Sequence, residues 1–146
     1  MTPGRLIISA PAGRCTLYTY HSARNIPGAV NRAVSVLARN LSYIDETTEA
    51  GAEKALRHNV WATDRLLYAS GAAALIIAAE PCLLEPKVPK NGSQNAYHLL
   101  ITENYDWLLT WNEVACKPAA IFNAIDRLAY EIAKRNRRRL KAKGRK

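Results

Sequence analysis

Nine cations stand within residues 134–146: Lys134, Arg135, Arg137, Arg138, Arg139, Lys141, Lys143, Arg145 and Lys146, with no acid among them. Guanidinium and ammonium groups at this density pair with densely anionic ligands, of which a line of phosphates is the simplest. The chain has 21 basic and 12 acidic residues, a net charge of +9. That excess lies wholly in residues 134–146, because residues 1–133 are electrically balanced. Within the balanced part, residues 1–44 carry five arginines and no acid, and residues 45–133 carry more acids than bases. An acidic middle could fold back on the basic segment and compete with an anionic partner.

Few other residues suggest chemistry. Glu49, Glu53 and Asp64 with His58 are those from which a metal or nuclease site would be built. Acids near a helix start are favoured by the helix dipole, and capping is the simpler reading. Cys15 lies near His21 and Ser22, but no third group completes a triad, whose members meet only in the fold. There is no Gly-rich phosphate cradle, HExxH, CxxC or calcium loop. No catalytic residue, metal ligand or cofactor is therefore expected, and the chain is read as a non-enzyme.

Cys15, Cys82 and Cys116 are odd in number and widely spaced, which argues for reduced thiols and an intracellular site. The cytoplasm, nucleoid or nucleus is expected. A mitochondrial presequence is a minor alternative, weakened by Pro3, Pro11 and Pro27. The richest apolar run, residues 72–79, falls far short of the ~20 residues of a membrane span.

The elements that must carry the cations follow from apolar periodicity. Ile121, Ile125, Leu128 and Ile132 recur at spacings of four, three and four, which predicts a helix opening at Lys117-Pro118. Arg127–Glu131 and Glu131–Arg135 are spaced as ion pairs along it. Beyond Lys134 cations point to every side of such a helix, so a frayed segment that orders on binding is expected.

Val30, Val34, Leu37, Leu41 and Ile44 predict a helix over 29–44. Arg32 and Arg39 share one side of it and could extend a basic patch. Asp45, Thr47 and Thr48 offer caps for a second helix, with Ala52, Leu56, Val60 and Leu67 on its stripe and Thr63 as the polar member. Ser70-Gly71 should bend or end it, and residues 72–79 read as a buried helical continuation. Pro81, Pro86, Pro89 and Asn91-Gly92 mark a loop.

Residues 6–8 and 15–20 form an opening hairpin. In its second strand Tyr18 and Tyr20 face away from Leu17, and could stack bases if exposed. A second hairpin spans 97–114, around Asn104-Tyr105-Asp106. Trp107 and Trp111 are its anchors, for the core or for an interface.

The expected fold is α+β. Two β-hairpins form an antiparallel sheet, with three or four packed helices and a basic C-terminal helical tail. Residues 1–133 would be the globular part and 134–146 the tail. An all-helical body behind a short hairpin is the alternative. The expected function is non-enzymatic binding of DNA or RNA through the tail cations, within a larger ribonucleoprotein or DNA complex. The alternative is a small interaction or inhibitor protein that contacts a nucleic-acid-handling complex through its body, around Trp107 and Trp111. A second copy of the chain is the remaining candidate partner, and no membrane is expected.

Overall fold

The computed structural model describes residues 3–20, 23–41, 43–80, 96–111 and 119–144. The fold is α+β, with a five-stranded sheet and five α-helices among the described residues. In chain order the elements are β1 (Gly4–Ser9), β2 (Arg14–Thr19), α1 (Ile26–Asn40), α2 (Glu49–Arg57), α3 (Val60–Leu67) and α4 (Ala69–Ala79). They continue with β3 (Ala96–Ile101), β4 (Asp106–Trp111), β5 (Ala119–Asn123) and α5 (Ala124–Lys143). The sheet order is β2-β1-β3-β4-β5.

Both expected hairpins form. The first turns at Gly13, whose φ of 96° suits a residue without Cβ. The second turns through Thr102–Asp106, where the Tyr105 N–H donates to Thr102 O and the Asp106 N–H to Thr102 Oγ1. Where the hairpins meet, however, β1 and β3 pair in parallel rather than antiparallel. The chain leaves β2 beside the start of β1, where Gly4 pairs with Thr19. After the helices it re-enters at the same end, where Arg5 pairs with Ala96. Strand direction is thus set by the helix layer, and side-chain alternation carries no record of it.

Residues 119–123 depart from the predicted helix. They form a fifth strand on β4, and α5 begins only at Ala124. Ile121 belongs to that strand, so its four-residue step to Ile125 is a coincidence of spacing. Phe122 turns onto the Trp107 ring, with centroids 5.4 Å apart. Residues 117–118, the predicted helix start, lie outside those described, as do the prolines of the predicted loop at 81–92.

Helix α1 starts three residues earlier than its apolar stripe suggests, because Pro27 fits the first turn, where no N–H is needed. Its stripe of Val30, Val34, Leu37 and Leu41 is fully buried. Thr48 caps α2, accepting from the Gly51 N–H at 3.1 Å. The single predicted second helix is two. Asn59 accepts from the Ala62 N–H and starts α3, which swings Val60 out to 68% exposure. Thr63 keeps its buried place by donating its hydroxyl to backbone carbonyls of its own helix. The chain then bends at Tyr68, and α4 covers residues 69–79 as a buried helix. Gly71 permits the tight approach, since a Cβ there would lie 2.7 Å from the Arg65 carbonyl oxygen.

Leu6, Ile8, Leu17, Leu99, Ile101 and Trp107 share one sheet face and join the helices in one core. Helix α4 lies on β1 and β2, α5 lies beside β5, and α1 packs between α4 and α5. Helix α2 packs along α5. Among the described residues no helix is long and apolar enough to cross a membrane.

Candidate nucleic-acid interface

Helix α5 is held at both ends of its buried half. At its start Asn123 Oδ1 accepts from the N–H groups of Ile125 and Asp126. The same side chain donates to Asn104 O and Asp106 Oδ1, tying the second hairpin's turn to the helix. Ile125, Leu128 and Ile132 then bury one stripe. The next position on that stripe is Asn136, which is 5% exposed amid cations. Its amide donates to Ile44 O at 2.7 Å and Glu46 O at 2.9 Å, pinning the chain between α1 and α2. Its flanking residues do related work. Arg135 donates to Ala38 O and Leu41 O, at the end of α1. A cation is favoured at that negative end of the helix dipole. Burial, and secondarily the Arg139 charge, lower the Arg135 pKa. Arg137 donates to Thr47 O at 2.9 Å.

The expected frayed segment is therefore an unbroken helix through Lys143. Lys134 lies over the Tyr130 ring, and residues 137–144 are exposed. Arg145 and Lys146 lie outside the described residues.

Asn136 was legible in principle. It sits four residues after Ile132, so the apolar period itself marks a buried position there. Replacing Asn136 with Ala leaves two inward carbonyls without their donor. Urea unfolding should then show a loss of about 1–3 kcal/mol.

Among the described residues, two clefts flank the basic half of α5. The larger, of about 480 Å³, lies between α1 and α5. Arg32 and Arg39 of α1 meet Lys134, Arg135 and Arg138 of α5 in it, with the small residues Ser35, Ala38 and Ala79. The seven-residue spacing of Arg32 and Arg39 thus brings both into the same cleft as part of the basic segment. The smaller, of about 270 Å³, holds Arg139 and Lys143 beside Asp45, Thr47, Asn136 and Leu140.

On this surface Arg32 is paired with Glu80, whereas the α5 cations have no carboxylate partner among the described residues. Among the described residues the ion pairs are Arg32–Glu80 and Arg57–Glu53, and neither involves residues 134–143. The predicted pairs of Glu131 do not form. Arg127 instead donates to Asn31 Oδ1 and lies over the Phe122 ring, while Arg135 reaches the end of α1. The Glu131 carboxylate lines the larger cleft with no ion pair or side-chain hydrogen bond among the described residues.

The remaining candidates are dispersed. Glu53 is engaged by Arg57, and Glu49 sits in the first turn of α2. Among the described residues no three His, Cys, Asp or Glu side chains gather closely enough to hold a metal ion. Trp107 is fully buried as a core anchor, whereas Trp111 is 56% exposed. Tyr18 is half-buried on the sheet face opposite Leu17, paired in register with Arg5. No family model matches the chain, and comparison with curated proteins and with solved structures finds no match.

Proposed function

We propose that this protein binds nucleic acid without catalysing a reaction, gripping phosphates with the basic half of α5 and the adjoining arginines of α1. One observation carries the reading. Lys134, Arg138, Arg139, Lys141 and Lys143 have no carboxylate partner among the described residues and stand on a helix fixed to the body. Arg39 lines the same cleft as Lys134 and Arg138. Arg135 and Arg137 add charge, while their donors serve to hold the helix in place.

Cations that pair with phosphates release condensed counterions, so binding weakens with salt in proportion to the number of pairs. With about five pairs, log K against log salt should fall with a slope near −4 to −5 on duplex DNA. Fluorescence anisotropy of a labelled duplex across a salt series measures this. A slope near zero, or no binding at low salt, overturns the proposal. A permanent place in a larger ribonucleoprotein or DNA complex would use the same contacts.

Exposed Trp111 favours a second reading, in which the body docks on another protein. Such a contact would survive loss of the α5 cations.

A further inference from the structure

We infer that the α1–α5 cleft receives one unpaired nucleotide of the bound strand and that Glu131 reads its base, with guanine preferred. This rests on the nucleic-acid reading above and extends it from phosphate gripping to base choice. A site for phosphate alone would need neither the space nor the carboxylate. The cleft, at about 480 Å³, falls in the range of roughly 300–1,000 Å³ that takes small organic ligands. Ser35, Ala38 and Ala79 keep it from being filled by the protein's own side chains.

Glu131 is the discordant member. A carboxylate beside a phosphate site is repulsive unless it is neutralised or has another use. Its helical neighbours Arg127 and Arg135 are both drawn to α1, which leaves its oxygens without an ion pair among the described residues. An ionised carboxylate only accepts hydrogen bonds. Within a cationic cleft, the fitting ligand is therefore one that carries an anion at one end and donors at the other. A nucleotide is such a ligand. Guanine offers two adjacent N–H donors on its Watson–Crick edge, matching the two carboxylate oxygens. That edge is free only when the base is unpaired. Arg39 and Arg138 are placed to hold the phosphate or to lay a guanidinium plane on the base.

The test uses the full chain and two labelled single strands, a short oligothymidylate and the same strand with one central guanine. The wild-type protein should bind the guanine strand about tenfold tighter, at the lower end of what one bidentate base contact contributes. Glu131→Gln should abolish that preference while binding the plain strand at least as tightly, because a negative charge has gone. Equal wild-type affinity for the two strands overturns the inference and leaves phosphate gripping intact. So does a Glu131→Gln protein that gains equally on both while keeping its preference, the result of simple repulsion. Failure to bind either strand or a duplex removes the nucleic-acid reading, and this inference with it.

Discussion

With Arg138, Arg139, Lys141 and Lys143 all replaced by Gln, affinity for duplex DNA should fall by about three orders of magnitude at roughly 0.1 M salt. The slope of log K against log salt should flatten by about 3.6, the counterion release of about four phosphate pairs. These four side chains are exposed and make no hydrogen bond or ion pair among the described residues. Gln is a sound helix former, so circular dichroism should report the same helix content. Removing everything after Ala133 would be a poorer experiment. It would delete Asn136 and Arg135 with the cations, and so expose the ends of α1 and α2 to rearrangement. An unchanged affinity in the four-site variant would mean that the basic half of α5 is not the contact.

The largest loss of stability is expected at Trp107, the largest fully buried side chain. Trp107 stands on β4, pairs in register with Ile101 of β3 and Phe122 of β5, and packs its ring on Phe122. Ala at this position removes the indole and leaves a cavity between the sheet and the helix layer. The cost should be about 3–5 kcal/mol, which at this chain length lowers the melting temperature by roughly 10 °C or more. Trp107→Phe separates packing from hydrogen bonding. The indole N–H has no partner among the described residues, so Phe gives up volume and no hydrogen bond. It should fall well short of the Ala loss in urea unfolding. Equal losses for the two would show that the cost does not follow the side-chain volume removed.

The sequence made some elements plain because their causes are local. Val30, Val34, Leu37 and Leu41 leave α1 no other buried face, and Thr48 marks the start of α2 by its own hydroxyl. The break between α2 and α3 was harder to see. Ala52, Leu56, Val60 and Thr63 keep helical spacing straight through it, while Asn59 interrupts the helix by capping a new one. Strand β5 was hidden for a different reason. Ile121 mimics the helical period, and only pairing with the free edge of β4 makes 119–123 a strand.

The candidate interface divides in the same way. Its cations are evident from composition, and the spacing of Arg32 and Arg39 showed that they share a side. That this side meets Lys134 and Arg138 depends on how α1 packs against α5, which no local pattern encodes. The structural use of Arg135 follows from the same contact. Until the end of α1 lies beneath it, Arg135 is indistinguishable from its neighbours in a run of arginines.

The clamp at residues 135–137 gives the basic segment the mechanics of a cantilever. Three consecutive side chains fix the beam at the ends of α1 and α2, and residues 138–143 carry like charges onward along the two clefts. Ordering a backbone costs roughly 1–2 kcal/mol per residue, and here that work precedes any encounter. An anionic partner would meet a helix of fixed direction rather than a strand that moulds itself to whatever it touches. Under the proposed function, shape as well as charge would then enter the choice of partner.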